Sequence, residues 1–178
     1  MRIAVSGVHR TGKTTLVEAL AERLPGHVAV PEPYHLLEER GYAFEHPPSV
    51  EDYVAQMRAS LGLLRRRAPN AVFDRCPLDF LGYILATRGG ERFDAEPWRA
   101  SIESALRSID LLVFVRADPA HDPPVDPEEA ASRLDVDGWL RDLVEADELD
   151  LCQGVPVLPL DGPWDRRPDA VLARLGQE

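Results

Sequence analysis

The chain has 178 residues, 44% of them hydrophobic, which suits one domain with a full-sized core. Its net charge of −11 lacks the basic surface of a nucleic-acid binder, so we expect no polynucleotide partner. No stretch approaches the roughly 20 apolar residues of a membrane span, and the two isolated cysteines favour a reduced, cytoplasmic protein without a membrane partner.

The first element is a strand that leads into a glycine-bracketed loop. After the apolar run Ile3–Val5, the next residues fit G-x-x-x-x-G-K-[ST], and apolar residues at helical spacing then predict a helix over 14–24. In this context backbone N–H groups cradle phosphates, Lys13 reaches the β/γ-phosphates and the Thr14 hydroxyl ligates Mg²⁺. The motif predicts a nucleoside triphosphate site formed by Gly7, Val8, His9, Arg10, Thr11, Gly12, Lys13, Thr14 and Thr15.

The rest of the chain alternates strand-like and helical patterns. Strand-like runs occur at 27–30, 71–73, 111–115 and 155–160. Helical patterns follow Ser49 as far as Arg67, with Asp52 completing a capping-box-like start, and also follow Asp79, Asp94 and Pro168 and surround Trp139. Such alternation indicates βαβ units. We predict a three-layer α/β fold over residues 1–178, with a five-stranded, mainly parallel sheet and helices on both faces.

One segment is rich in proline and aspartate and predicts an exposed loop, Ala117–Glu129. It lies within a candidate mobile lid over about 116–137. Arginines in the phosphate loop and around this segment are candidates to close over the phosphates and exclude water, with a solvated surface position as the alternative for each. These are Arg10, Arg116, Arg133 and Arg141.

Ligands of an open parallel sheet bind at the carboxyl ends of its strands. Asp74 ends the run 71–73 and is the candidate carboxylate for Mg²⁺, whereas Asp110 lies at the start of its strand, on the opposite edge. A turn-forming acid is the alternative for Asp74.

Two further charged residues belong to the same edge. Arg75 is expected to counter phosphoryl charge or to grip the acceptor; an ion pair with Glu32 or Asp79 is the alternative. Glu32, between two prolines, is a candidate general base, and could equally orient the acceptor or act as an outer metal ligand.

The phosphate loop, Val-Pro-Glu-Pro at 30–33 and Phe-Asp-Arg-Cys-Pro-Leu-Asp at 73–79 give the chain a family resemblance. It resembles the P-loop nucleoside-kinase-like group, which contains deoxynucleoside kinases and nicotinamide riboside kinase-like ATPases. The resemblance implies that Glu32 supplies the base and that Asp74 and Arg75 contact metal and phosphate, with Cys76 where the family has serine. It also implies that Gln56, on the long helix, reads the acceptor's base.

The hypothesis that follows is a kinase that uses ATP and Mg²⁺ to phosphorylate a hydroxyl group of a small metabolite, most simply a nucleoside. Its expected catalytic residues are Lys13, Glu32, Asp74 and Arg75. The alternative is a regulatory or accessory ATPase without an acceptor. A nucleotide kinase of the thymidylate type would need more basic residues near the acceptor than Arg75 and Arg58. The long helix after Ser49 is a candidate surface for a homodimer.

Overall fold

The computed structural model describes residues 1–66 and 68–176. Its five strands form one parallel sheet in the order β2-β3-β1-β4-β5, which confirms the predicted sheet. The outer strand β2 is the most exposed, whereas the apolar runs of the three inner strands are almost wholly buried, as expected for a sheet covered on both faces. The strands are β1 (Arg2–Ser6), β2 (Val28–Val30), β3 (Ala71–Asp74), β4 (Leu111–Val115) and β5 (Val157–Leu160).

The helices follow the predicted order, with one addition in the described residues, the short helix α2. Among the described residues, 1–66 and 68–176, no helix is long and apolar enough to cross a membrane. They are α1 (Lys13–Arg23), α2 (Pro33–Glu38), α3 (Val50–Arg65), α4 (Pro77–Ala86), α5 (Glu96–Leu106), α6 (Pro127–Val144) and α7 (Arg167–Leu175).

The starts of two helices show how the sequence sets their limits. Ser49 and Asp52 form the expected capping box at α3, whose predicted last residue, Arg67, lies outside the described residues. The sequence predicted an exposed loop over Ala117–Glu129, but helix α6 already begins at Pro127. Asp126 caps it by accepting a hydrogen bond from the Glu129 N–H at 2.9 Å, and proline occupies its first position.

Alternate residues of the central strand face two separate cores. Ile3 and Val5 pack with α1 and α7 on one face of the sheet, while Ala4 faces the larger core formed with α3 to α6. Helices α4 and α6 approach closely at Gly82, where a Cβ would lie 2.8 Å from Leu140 Cδ2. The helices therefore cover both faces, as predicted, and the carboxyl ends of the strands stay free to form a site.

Candidate active site

The phosphate loop joins the carboxyl end of β1 to the start of α1. Only glycine fits at position 7, because its φ is +144° and a Cβ would lie 2.2 Å from the Val115 carbonyl oxygen. Gly12, at φ +75°, caps α1, and Arg10 also has a left-handed φ of 61°. The first turn of α1 carries no acidic residue. The loop therefore presents backbone N–H groups and the positive end of a helix dipole to an anion.

Lys13 is buried beneath this loop, and its Nζ donates a hydrogen bond to the Val8 carbonyl oxygen at 2.7 Å. Burial, together with the nearby Arg75 guanidinium, lowers the pKa of Lys13 to about 7. A polyphosphate placed beside Nζ would bring the negative charge that favours the protonated amine. This buried lysine is therefore suited to a highly charged anion.

Thr14 and Asp74 are adjacent, although 60 positions separate them in sequence. The Thr14 hydroxyl donates to Asp74 Oδ2 at 2.6 Å, and burial raises the pKa of Asp74. The other oxygen, Oδ1, is buried with no hydrogen-bond partner in the described part of the chain. A hydroxyl and a carboxylate with a free oxygen fit the oxygen-donor preference of Mg²⁺. Asp110 lies at the other edge of the sheet, where it accepts from the Arg2 N–H at 2.7 Å.

Arg75 is a buried arginine that joins three parts of the site. Its Nε donates to Glu32 Oε1 at 2.6 Å, and its Nη1 donates to the Gly7 carbonyl oxygen at 3.1 Å and lies 3.5 Å from Asp79 Oδ1. Both ion pairs offered as alternatives from the sequence are therefore present. Burial opposes ionisation of Glu32, but Arg75 and then Lys13 outweigh it and lower its pKa. These charges favour the carboxylate form of Glu32.

Asp79 was weighed in the sequence only as an ion-pair partner, yet its fully buried carboxylate fixes the geometry of the loop. Oδ1 accepts from the Gly7 N–H at 2.9 Å, and Oδ2 accepts from the Cys76 N–H at 2.8 Å. The second bond belongs to the capping box of α4. An acid three residues after Cys76, at a predicted helix start, was the signal available in the sequence.

A cavity of about 570 Å³ opens between these residues and helices α2, α3, α4 and α6. Two aromatic pairs stack along it: Tyr34 with Phe44, at 4.3 Å between ring centroids, and Tyr53 with Tyr83, at 5.0 Å. Gln56 lines the same cavity. The sequence analysis did not select the four aromatic residues as site residues, and short α2 offers no periodicity that would have indicated Tyr34.

The arginines predicted to form a lid are engaged in ion pairs with acidic side chains. Arg116 pairs with Glu145 and with Asp161, and Arg141 Nε donates to Asp137 Oδ2 at 2.7 Å. Arg133 donates to the buried carboxylate of Asp122 at 2.7 Å, and Arg10 Nε lies 2.8 Å from Glu129 Oε1.

The C-terminal segment supports the phosphate loop from a distant part of the chain. The Trp164 ring covers Gly12, where a Cβ would lie 2.7 Å from Cδ2 of the indole. Buried Arg167 donates to the carbonyl oxygens of Thr11 and, at 3.0 Å, Gly162. Trp164 thus packs against the phosphate loop.

The glycine-bracketed loop follows the central strand of a parallel sheet, Lys13 is buried beneath it, and Thr14 is paired with Asp74. Together these features define a P-loop nucleotide-binding protein. Residues 2–167 match the family described as AAA domain, and the chain belongs to that family. A comparison with curated proteins finds no match.

Solved structures with the same fold include kinases. Deoxyadenosine kinase from M. mycoides with bound dATP is 15% identical, with a TM-score of 0.68 over 99% of this chain and 100% of that chain. The NadR protein in complex with NAD and AMP-PNP is 24% identical, with a TM-score of 0.70 over 98% of this chain and 49% of that one. Thymidylate kinase from Candida albicans is 12% identical, with a TM-score of 0.58 over 99% and 91%. These likenesses confirm the predicted fold and agree with the nucleoside-kinase-like resemblance.

Proposed function

We propose that the protein is a kinase that uses ATP and Mg²⁺ to phosphorylate a hydroxyl group of a nucleoside or a close relative. The observation that carries this proposal is a cavity lined by His9 of the phosphate loop, by the carboxylate of Glu32 and by stacked aromatic rings. The Thr14–Asp74 pair lies at the same edge of the sheet, where β3 ends and α1 begins. Phosphoryl transfer needs positioning and charge stabilisation more than covalent chemistry, and this arrangement supplies both.

On the nucleotide side, each group has a distinct role. Amides of the loop and of the first turn of α1, together with the Lys13 amine, hold the phosphates of ATP. The N–H groups of Gly7 and His9 are bonded instead to Asp79 and Tyr83, which fix the shape of the loop. The Thr14 hydroxyl and Asp74 would hold Mg²⁺, which neutralises phosphate charge when it is bound. Asp74 Oδ1 supports this assignment, because a buried carboxylate oxygen without a partner otherwise costs stability.

On the acceptor side, Glu32 orients the acceptor hydroxyl and accepts its proton. Arg75 keeps the Glu32 carboxylate ionised and fixed through the 2.6 Å hydrogen bond, and it links that carboxylate to the backbone of Gly7. Arg75 thereby holds the base at a constant position relative to the phosphate loop. Gln56 and the stacked aromatic rings form the surface that a flat heterocycle would contact.

The charges around the cavity favour an acceptor that does not already carry a phosphate. Three acids at the start of α6, Asp126, Glu128 and Glu129, line the cavity. Arg75 is already paired with Glu32. Arg58, the other candidate cation, is placed over the Trp98 ring at 5.3 Å. A nucleoside monophosphate would therefore meet mainly negative charge, which argues against a thymidylate-type kinase.

A second candidate function is a regulatory or accessory ATPase without an acceptor. The observation that favours it is the pairing of Arg116, Arg133 and Arg141 with acidic side chains, which occupies the guanidinium groups predicted to close over the phosphates. Slow ATP hydrolysis that no small molecule accelerates would support this candidate and contradict the first. We further propose a cytoplasmic protein with one P-loop domain and a mobile segment around 116–137, and α3 as a surface for a homodimer.

The test is an ATP-consumption screen against nucleosides, nucleotides, amino sugars and vitamin precursors, followed by Glu32→Gln. We expect one nucleoside to stimulate turnover and Glu32→Gln to lower that turnover about 100-fold or more, the effect of losing a general base. Affinity for MgATP, measured by calorimetry, should change by less than about twofold. Exposed Glu38 in α2 supplies the matched control, Glu38→Gln, which should behave as the parent protein. Full turnover in Glu32→Gln would remove the assigned role of Glu32.

A further inference from the structure

The side chain of His9 lies between three parts of the molecule. It belongs to the phosphate loop, its Nδ1 lies 2.9 Å from the hydroxyl of Tyr83 in α4, and its Nε2 lies 3.3 Å from Glu129 Oε1 in α6. The His9 backbone N–H also donates to the Tyr83 hydroxyl, at 2.8 Å. One tyrosine oxygen thus contacts both the backbone and the ring of the same loop residue.

The groups that face the two ring nitrogens, the Tyr83 hydroxyl at Nδ1 and the Glu129 carboxylate at Nε2, indicate which nitrogen carries the proton. Burial, followed by the positive charge of Arg75, lowers the pKa of His9 to about 4, so the ring is neutral at pH 7. A neutral imidazole has one N–H, and an ionised carboxylate such as Glu129 can only accept. The proton therefore lies on Nε2. Nδ1 is then an acceptor, and the Tyr83 hydroxyl donates to it.

We infer that His9 is a positioning residue whose ring contacts Tyr83 of the acceptor cavity and Glu129 of α6, and so sets the phosphate loop against both. This inference rests on the proposed function for its consequence, since it treats the loop as the ATP site and the cavity as the acceptor site. Glu129 also pairs with Arg10, so α6 contacts two consecutive side chains of the loop.

Tyr83 lines the cavity, so its contact with His9 is sensitive to what binds there. Its ring stacks on Tyr53 and carries the Arg75 guanidinium at 5.2 Å from the ring centroid. A heterocycle held against these aromatic rings would act on the same tyrosine whose hydroxyl holds His9. Binding of acceptor and of ATP is then coupled, and the coupling is reciprocal by thermodynamic linkage.

A double-mutant cycle tests the contact between His9 and Tyr83, with MgATP as the only ligand. His9→Phe and Tyr83→Phe should each weaken MgATP binding about three- to tenfold. The double variant should bind MgATP more strongly than the product of the two single effects predicts, because the His9–Tyr83 contact that both substitutions remove is lost only once. His9→Asn, which keeps an acceptor near the Nδ1 position, should restore part of the affinity lost in His9→Phe. Tyr42→Phe, which removes a hydroxyl bonded to Asp52, is the matched control and should bind MgATP like the parent.

Multiplicative effects in the double variant would show that the two side chains act independently. Nitrogen NMR of the ligand-free protein at pH 7 gives a second, separate readout: we expect the His9 ring to be protonated at Nε2 and unprotonated at Nδ1. A His9 ring protonated at Nδ1 or at both nitrogens would contradict the inferred hydrogen bond from the Tyr83 hydroxyl to Nδ1. Neither measurement uses an acceptor, so a failed acceptor screen would reject the kinase proposal and leave this inference standing.

Discussion

The two ends of the cleft are built in different ways. At the phosphate end, the proposed site is one stretch of nine consecutive residues, 7–15, and the positive φ of Gly7 and Gly12 shapes its backbone. At the other end, the proposed acceptor cavity is lined by side chains from four helices, α2, α3, α4 and α6, and from the segments between elements, which only the folded chain brings together. The first end depends on local geometry, and the second depends on packing.

This difference separates the part of the molecule proposed to bind phosphates from the part proposed to select the acceptor. Backbone groups recognise phosphates whatever side chains the loop carries at Val8 to Thr11, so this end suits any nucleoside triphosphate. Cavity side chains such as the stacked Tyr34 and Phe44 can change without disturbing the loop, whereas Tyr83 and Glu129 contact His9 directly. We therefore place substrate selectivity in the acceptor cavity. Buried Asp79 and the His9 ring connect the two ends.

The largest expected effect comes from breaking the Asp79 connection. Asp79→Asn turns one accepting oxygen into an N–H donor that faces either the Gly7 or the Cys76 N–H. We expect the free energy of unfolding to fall by about 2–3 kcal/mol, because a buried donor loses its partner. Affinity for MgATP should fall at least about tenfold because the Gly7 end of the loop is released. Urea unfolding and calorimetry measure the two effects.

Asp52→Asn is the matched control for this variant. Asp52 is also a buried carboxylate in a capping box, and it accepts from the Ser49 and Glu45 N–H groups and from the Tyr42 hydroxyl. Its loss should lower stability by a similar amount and leave MgATP affinity unchanged. Equal losses of affinity in both variants would mean that the loop follows overall stability and not its own contact with Asp79.

A smaller effect should come from filling the space above the loop. Gly12→Ala introduces a Cβ at a φ of +75° and 2.7 Å from the Trp164 ring, whereas Gly41→Ala introduces one at +82° with nothing within 4 Å. Both pay about 1 kcal/mol of backbone strain. We expect a further loss of about 1 kcal/mol in Gly12→Ala, because the indole must move. Urea unfolding of each variant measures the difference.

The Trp164→Ala background isolates the contact with the indole. In that background Gly12→Ala should cost only the strain seen in Gly41→Ala. A cost that stays larger without the indole would show that Trp164 is not what limits the space above Gly12, and that the C-terminal segment supports the loop in another way.

The same contrast explains how much could be predicted from the sequence. The phosphate loop is contiguous, so its motif and flanking periodicity indicate strand, loop and helix together. The inner strands are unbroken apolar runs because both faces of the sheet are covered. Asp74 could be selected over Asp110 because a parallel sheet gives each strand end a fixed edge. These inferences use only near neighbours in sequence or the direction of a strand.

The acceptor end could not be predicted in this way. The stacking of Tyr34 on Phe44 depends on a six-residue helix and the loop after it, and neither has a periodic pattern. The bond from Arg167 to the Thr11 carbonyl joins residues 156 positions apart. The ion pairs of the predicted lid arginines depend on where α6 begins. Contacts of this kind are set by tertiary packing, which a single sequence does not encode locally.

The smallest expected effect is on the pH dependence of stability, and it sharpens the role of His9. Its pKa is about 4 in the folded protein and 6.5 when unfolded, so between these values the unfolded chain binds more protons. The free energy of unfolding therefore has the full His9 contribution above pH 6.5 and loses it as the pH falls towards 4. Solvent screens a side chain that is one-third exposed, so we expect a loss of about 1 kcal/mol.

Carboxylates titrate in the same range, so the difference in the free energy of unfolding between the parent and His9→Asn, measured by urea unfolding at pH 4.5 and 7, isolates this contribution. The charged groups that act on the ring are Arg75, Glu129, Arg133 and Lys13. If the difference were the same at both pH values, His9 would not be held as a neutral ring, and the link between the two ends of the cleft would have to lie in Asp79 alone.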